Sequence, residues 1–168
     1  MDPQVIVAAL FVHGPRGTRP ADQRPTPMVP MGSVEAVPAC GLREDGRYFR
    51  GNPDNDRRRQ VSLIDEGTIW DLEESFGPIP REFVKAQIVL SGRVDLPSIV
   101  GCVLSFEGGA ELGLVLERVP CYAMDLIHDG LREAMRGGRQ GALARVLSGG
   151  RIVVGAPVMI GAAQAAVG

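Results

Sequence analysis

Short apolar runs rich in β-branched residues recur along this chain, and each run ends at glycine, proline or a charged turn. Runs of this length at turn-marked intervals predict strands. Only two segments have the pattern of helices, so we expect an α+β fold that is predominantly β and barrel-like, with a few short helices. The first six predicted strands span residues 4–13, 32–40, 60–64, 88–90, 103–106 and 111–116.

Two pairs of adjacent glycines predict hairpin turns. Gly108-Gly109 lies between the two strands predicted within residues 103–116. Gly149-Gly150 lies within the segment 142–155, where a β-branched run follows the glycines. The first half of that segment could equally be a helix by propensity, but a double glycine before a β-branched run favours a second hairpin.

The two predicted helices differ in how clearly the sequence bounds them. Asp65 offers an N-cap to the first helix, in which Ile69 and Leu72 recur at helical spacing until Gly77-Pro78 ends it. A short second helix is expected over residues 129–136. Both helices are amphipathic surface elements of a β-rich domain in this interpretation.

Two long segments have the composition of loops. Residues 14–30 contain five prolines among arginines and polar residues, which predicts a long surface loop. Residues 41–58 are charged and rich in turn-forming residues, and we expect this second loop to be the functional one. We expect residues 1–168 to form a single domain, because no internal repeat is visible.

Composition limits the function classes. The 168 residues are 45% hydrophobic and carry a formal net charge of -2, which suits one well-buried domain and excludes a charge-driven nucleic-acid binder. No run approaches the roughly 20 apolar residues that span a bilayer. Met1-Asp2-Pro3 lacks the basic start of a secretory signal. We therefore expect a cytoplasmic protein that binds neither nucleic acid nor membrane.

The cysteines indicate a reactive site. Cys121 lies where an apolar strand stops and a helix begins, and loops held by a rigid sheet are where chemistry is usually carried. Cys40 and Cys102 lie in apolar settings and are interpreted as small buried hydrophobes. An odd number of cysteines with no paired-ligand spacing argues against a disulfide framework and for a reducing compartment.

Arginine supplies all of the positive charge except Lys85. Several arginines facing one cleft would favour an anionic ligand, although most of them are expected on a solvated surface. Lys85 falls in a predicted strand, and a Schiff-base mechanism would have no other lysine to use. Pyridoxal phosphate chemistry is therefore not expected in this chain itself.

Common catalytic signatures do not occur in the sequence. It has no phosphate-binding P-loop, no dinucleotide fingerprint after a strand and no Gly-x-Ser-x-Gly elbow. His13 and His128 have no cysteine or carboxylate neighbours at zinc-site spacing, so both are interpreted as surface or packed residues.

Several short blocks follow one another in a recognisable order along the chain. They are Gly41-Leu42, Asp45, Arg47-Tyr48, Arg59-Gln60-Val61-Ser62-Leu63-Ile64, Pro120-Cys121 and the run from Arg145 to Gly155. Together these blocks, over roughly residues 41–158, resemble a MOSC domain, the C-terminal domain of molybdenum cofactor sulfurases and its stand-alone bacterial relatives.

The resemblance implies a β-rich, barrel-like fold and a cysteine that carries sulfur as a persulfide or meets the metal of a molybdopterin cofactor. Cys121 matches that cysteine, and a thiolate suits either role. Asp45, Arg59, Gln60 and Arg145 match family blocks and are expected to line the same cleft. The arginines would neutralise a phosphate, and Asp45 would orient a neighbouring group.

This chain departs from the family pattern at three places. The Gly-Asp-Arg run of the family appears here as Glu44-Asp45-Gly46-Arg47, with the glycine displaced. Lys85-Ala86-Gln87 stands where relatives often have Arg-x-Asn, and Gly155-Ala156-Pro157-Val158 stands where they end in Gly-Asp-Pro-Val. A cofactor site that needs the asparagine or the late aspartate would be altered or inactive here.

Three functions remain open. The first is a sulfur carrier or sulfurtransferase, with Cys121 loaded by a separate pyridoxal-phosphate-dependent cysteine desulfurase. The second is a module that binds the molybdenum cofactor in a reductase for N-hydroxylated compounds, served by a redox partner, with Cys121 facing the metal. The third is a non-catalytic binding domain in which Cys121 is merely packed. The oligomeric state is left open.

Overall fold

A computed structural model describes residues 4–15, 26–48 and 60–163. Within these ranges most of the regular structure is β, in agreement with the α+β class expected from the sequence. The strands are β1 (Val7–Val12), β2 (Val29–Met31), β3 (Ser33–Val37), β4 (Gly41–Leu42), β5 (Val61–Asp65), β6 (Ile88–Leu90), β7 (Val103–Phe106), β8 (Glu111–Glu117), β9 (Ala142–Ser148), β10 (Gly150–Val153) and β11 (Val158–Ile160).

The strands form two open sheets. The larger sheet has eight strands in the order β11-β7-β8-β9-β5-β6-β1-β2, and the smaller has three in the order β10-β3-β4. β5 and β6 are parallel, whereas the pairs on either side of them are antiparallel. This parallel pair follows from the crossover that contains helix α1 (Glu66–Phe76). The described strands therefore do not close into one barrel.

Apolar side chains cover both faces of the larger sheet. Between the sheets, Val34 and Ile152 of the smaller sheet pack in one cluster with Leu63 and Leu112 of the larger. On the other face, a second cluster joins the helices to the sheet. The members of that cluster include Ile64, Ile69, Leu72, Met124 and Leu131. All five residues of β5 are buried for this reason.

The helices largely follow the sequence prediction. The Asp65 carboxylate accepts hydrogen bonds from the backbone and hydroxyl of Thr68, both at 2.9 Å, so the predicted N-cap is confirmed. α1 ends at Gly77, whose φ is +83°. Helix α2 (Leu131–Ala134) is shorter than the predicted 129–136. The 3₁₀ helices of the described ranges are Arg81–Phe83, Leu96–Ile99 and Tyr122–Met124.

The predicted loop over residues 14–30 is too long at its C-terminal end, because β2 already includes Val29 and Pro30. β2 pairs with β1 at the edge of the larger sheet, with Pro30 opposite Phe11. Proline is tolerated there because an edge strand can leave one donor position unused. Residues 16–25 of the predicted loop lie outside the described ranges.

Only one of the two predicted hairpins forms. β7 and β8 pair across Gly108-Gly109 as expected. β9, however, pairs with β8 and β5, whereas β10 pairs with β3, so the second hairpin prediction is wrong. A Cβ atom at Gly150 would lie 2.4 Å from the Gly108 carbonyl oxygen. The second glycine pair thus permits a close backbone crossing from one sheet to the other.

The prediction of a strand at Lys85 is also wrong. Lys85 precedes β6 and has a φ of +60°, a left-handed conformation that a strand cannot contain.

Among the described residues, none of the helices combines the length and apolar character that crossing a membrane requires.

Candidate functional site

Cys121 is displayed where β8 passes into the 3₁₀ helix Tyr122–Met124. Pro120 on one side and Met124 on the other are buried, whereas Cys121 itself is exposed. The backbone N–H of Met124 donates to the Cys121 carbonyl at 3.1 Å, which fixes the turn. Two buried anchors therefore hold an accessible thiol, as expected for a residue that reacts.

Arg118 is the cation most firmly held near this thiol. Its backbone N–H donates to the Gly141 carbonyl, and its guanidinium donates to the carbonyls of Lys85 at 2.9 Å and Gln140 at 3.1 Å. Burial lowers the pKa of Arg118 to about 10, and a negative charge on Cys121 opposes that shift. Both carbonyl partners are neutral, so they orient the guanidinium without neutralising it.

Lys85 and Arg47 add two further cations. The Lys85 ammonium donates to the Thr26 carbonyl. Burial and the charge of Arg47 lower the pKa of Lys85, whereas a negative charge on Cys121 acts in the opposite direction. Arg47 is exposed and also acts on Arg118. The side chains of Arg47, Lys85 and Arg118 form what we call the cation cluster of Cys121.

Asp45 is the centre of a buried hydrogen-bond network behind the cation cluster. Its carboxylate accepts from the backbone of His13 at 2.8 Å, the His13 ring at 2.9 Å, the backbone of Arg47 at 2.7 Å and the amide of Gln87 at 2.8 Å. Burial acts to raise the pKa of Asp45, but the hydrogen bonds and charge of His13, with the Arg47 amide, lower it overall. Asp45 therefore orients its neighbours as a carboxylate.

The network continues from Asp45 to Arg118. The other end of the Gln87 amide accepts from the Ser62 backbone at 2.9 Å, and the Ser62 hydroxyl lies 3.2 Å from the Lys85 carbonyl. That carbonyl is one of the two that hold Arg118. The left-handed backbone of Lys85 aims its carbonyl at both donors, which explains why this residue leaves the strand conformation.

A small cavity of about 130 Å³ opens beside Arg118. Its lining residues are Leu116, Glu117, Arg118, Val119 and Leu143. Small-molecule sites usually enclose about 300–1,000 Å³, so the described walls suit a ligand of only a few atoms. A larger cavity, of about 410 Å³, lies beside Gly108 and Arg151, at the far end of β8 from Cys121. Because it lies far from the thiol, this larger cavity is not part of the Cys121 site.

The predicted site residues are placed differently from one another. Asp45 is joined to Arg118 through the hydrogen-bond network of Gln87, Ser62 and the Lys85 carbonyl. The side chain of Gln60 instead accepts from the Val146 backbone at 2.8 Å and so links β5 to β9. Arg145 is exposed on β9, and no contact within the described ranges joins it to Cys121. Arg59 lies outside the described residues.

Sequence reasoning did not identify His13, Ser62 and Arg118 as parts of this site. The sequence contains a local indication for Arg118, because this residue directly follows β8 and lies three residues before Cys121. His13 had none, because 32 residues separate it from Asp45 and only the fold brings them together. Lys85 and Gln87, noted as departures from the family pattern, are both used in the network.

The remaining cysteines and acidic residues do not form a second centre in the described part of the chain. Cys40 and Cys102 are free thiols and are half-buried rather than fully buried as predicted. No cluster of three or more histidine, cysteine, aspartate or glutamate side chains there could hold a metal ion. A metal bound at Cys121 would need its other ligands from outside the described protein residues.

Solved proteins share this fold. The YUAD protein from Bacillus subtilis matches with a TM-score of 0.78 at 18% identity, over 96% of this chain and 98% of its own. YiiM from Geobacillus stearothermophilus matches at 0.68 and 18%, over 98% of this chain and 77% of its own. YiiM from Escherichia coli matches at 0.63 and 15%, over 92% and 69%.

These likenesses concern the fold alone, because the identities are low. They show that this chain shares the fold of these three proteins. No protein-family model and no curated protein matches the sequence.

Proposed function

We propose that this protein is a sulfur carrier in which Cys121 takes up a sulfane sulfur as a persulfide and passes it on. The observation that carries the proposal is an exposed thiol beside the cation cluster, with Arg118 fixed by two carbonyls. The thiolate is the nucleophile in sulfur exchange, and an exposed thiol is accessible to a sulfur donor. The same cations would stabilise the terminal sulfur of a persulfide anion.

The buried hydrogen-bond network supports this function because it holds Arg118 in position. Asp45, Gln87 and Ser62 fix the Lys85 carbonyl, and that carbonyl fixes Arg118. The cation is thereby held in place before any sulfur arrives, so little reorganisation accompanies the change of charge on Cys121. A non-catalytic domain with a packed cysteine would not need an exposed thiol facing such an arrangement.

The test is intact-mass spectrometry of the full chain after incubation with a cysteine desulfurase and cysteine. We expect a gain of one sulfur, about 32 Da, that dithiothreitol reverses. Cys121→Ser should abolish the gain, whereas the matched variant Cys102→Ser should keep it. A gain that persists in Cys121→Ser, or no gain in the native protein with either this donor or a small sulfane-sulfur compound, would contradict the proposal.

Binding of a molybdenum cofactor is the second candidate function. The donor set fits such a group: Cys121 offers a soft thiolate to the metal, and Arg47, Lys85 and Arg118 offer positive charge to a phosphate. When bound, the cofactor would supply two-electron redox chemistry to a reductase with a redox partner. The small cavity beside Arg118 favours the carrier function over this one. Stoichiometric molybdenum in the purified native chain, lost in Cys121→Ser, would reverse that preference.

A further inference from the structure

Within the described part of the chain, no carboxylate compensates the charge of Arg118. Four other arginines of the described ranges pair with carboxylates, namely Arg43 with Glu35, Arg81 with Glu73, Arg93 with Asp71 and Arg136 with Glu133. Arg118 has no such partner among the described residues, where its half-buried guanidinium is held by two neutral carbonyls. Charges withdrawn from water are normally paired, so this guanidinium has capacity for an anion.

The nearest carboxylates do not supply that anion. Asp45 is already engaged by His13, Arg47 and Gln87. Glu117 lines the cavity beside Arg118 but makes no ion pair with it within the described residues. Lys85, the second cation, likewise bonds to a neutral carbonyl there. An anion that approaches Cys121 therefore meets two oriented cations and an exposed third, Arg47.

We propose that the sulfur donor for Cys121 is a small thiosulfonate anion of the thiosulfate type, bound by the cation cluster. This inference rests on the proposed sulfur-carrier function and names its substrate class. A donor protein that presents its own persulfide needs an open surface and one thiol. The arrangement here, with a cavity of about 130 Å³ beside a fixed guanidinium, instead suits an ion of about five non-hydrogen atoms with two negative charges.

The transfer step is balanced without an oxidant or reductant. The Cys121 thiolate attacks the outer sulfur of thiosulfate, the sulfur–sulfur bond of thiosulfate breaks, and a new bond forms between Sγ of Cys121 and that sulfur. Sulfite leaves with the electron pair of the broken bond, and Cys121 becomes a persulfide anion. Positive charge on Arg118 and Lys85 stabilises the charge that accumulates on the sulfonate oxygens as the bond breaks.

The experiment combines the full chain with sodium thiosulfate and measures released sulfite and intact mass together. We expect about one sulfite per chain and a gain of about 32 Da, both absent in Cys121→Ser. Arg118→Met should slow sulfite release by roughly tenfold or more, the loss expected when a hydrogen bond to a charged group is removed. Arg151→Met is the matched control and should leave the rate unchanged, because Arg151 lies in β10, beside the end of β8 that is far from Cys121.

Failure of this inference is distinguishable from failure of the proposed function. Loading by the desulfurase but not by thiosulfate would overturn the donor class and leave the carrier function standing. Loading by neither would overturn both. Loading by thiosulfate at an equal rate in native protein, Arg118→Met and Arg151→Met would overturn the role of the cation cluster in selecting the donor.

Discussion

At the scale of single residues, the proposed function depends on how Arg118 acts on Cys121. Two neutral carbonyls hold the guanidinium, so most of its charge remains available to a negative sulfur nearby. An interaction of about 1 kcal/mol between two partly exposed charges corresponds to a roughly fivefold change in thiol reactivity. Arg118→Met should therefore slow the reaction of Cys121 with iodoacetamide by about that factor at neutral pH.

Peptide mapping after timed alkylation measures this effect separately for each of the three cysteines. Cys40 and Cys102 serve as internal references, because they lie in other parts of the fold and should alkylate at unchanged rates. Arg151→Met controls for the loss of a positive charge in general. Equal alkylation rates at Cys121 in all three proteins would show that Arg118 does not influence the thiol.

The contribution of Asp45 to the stability of the fold should depend on pH in a direction that its lowered pKa determines. Its pKa is lowered in the folded protein, so its contribution to stability is complete above the unfolded carboxyl pKa, about 3.9, and is lost as the pH falls through the folded value. Asp45→Asn should lower the free energy of unfolding by about 2 kcal/mol at pH 7, because the Asn amide opposes donors that the carboxylate accepts.

Urea unfolding at several pH values checks the Asp45 prediction. The difference between native protein and Asp45→Asn should shrink as the pH falls below about 4, where the Asp45 carboxyl of the unfolded chain takes up a proton before that of the folded protein. Asp129→Asn is the control, because Asp129 is exposed. A difference that stays constant down to pH 3 would mean that the charge of Asp45 does not stabilise the fold.

At the scale of elements, the crossing from β9 to β10 depends on Gly150. A Cβ there would lie 2.4 Å from the Gly108 oxygen and 2.5 Å from the Ala110 nitrogen, and both are backbone atoms that cannot move aside. Gly150→Ala should therefore lower the free energy of unfolding by about 2 kcal/mol or more. At Gly32, where a Cβ would meet nothing within 4 Å, alanine should change it by less than about 1 kcal/mol.

Thermal or urea unfolding of the two alanine variants provides this comparison. The far-ultraviolet circular dichroism of Gly150→Ala, if it folds, should show whether strand content is kept. Equal stability of the two variants would indicate that the crossing can open to accept a side chain, which the close backbone contacts contradict.

Elements specified by neighbours in sequence were predictable, and elements specified by distant contacts were not. The Asp65 cap and the β7–β8 hairpin depend on residues within one or two turns of each other, so the sequence identifies them. Gly149-Gly150 has the same local signature as a hairpin, yet β3 rather than β9 pairs with β10. The left-handed Lys85 likewise follows from long-range bonds to Ser62 and Arg118.

In the candidate site, too, residues with a local sequence signal could be predicted and residues joined by long-range contacts could not. The exposure of Cys121 agrees with its position after a strand, which is a local signal, and the family resemblance points to the same residue. The network behind it was not predictable, because Asp45 meets His13 and Gln87 across 32 and 42 positions of sequence. No periodicity links such residues, and only the pairing of β1, β5 and β6 brings them to the same face.

At the scale of the whole molecule, the fold holds a cation, Arg118, that no carboxylate of the described ranges compensates and that a bound anion would stabilise. Burial lowers the pKa of Arg118 to about 10, so the folded state holds this charge at some cost in free energy. The two apolar clusters that cover the larger sheet supply the stability that tolerates this cost. A bound anion should offset part of this cost and so raise the free energy of unfolding.

Thiosulfate should therefore stabilise the folded chain even when transfer is blocked. In Cys121→Ser, thiosulfate at about ten times its dissociation constant should add about 1.4 kcal/mol to the free energy of unfolding, which raises Tm by about 3–5 °C for a domain of this size. Differential scanning calorimetry at constant ionic strength, with chloride as the replacement anion, measures the shift. Adding Arg118→Met to the same background should remove most of it, whereas adding Arg151→Met should not. An equal shift in both double variants would mean that the anion acts on the surface in general, since only a bound anion depends on the guanidinium that holds it.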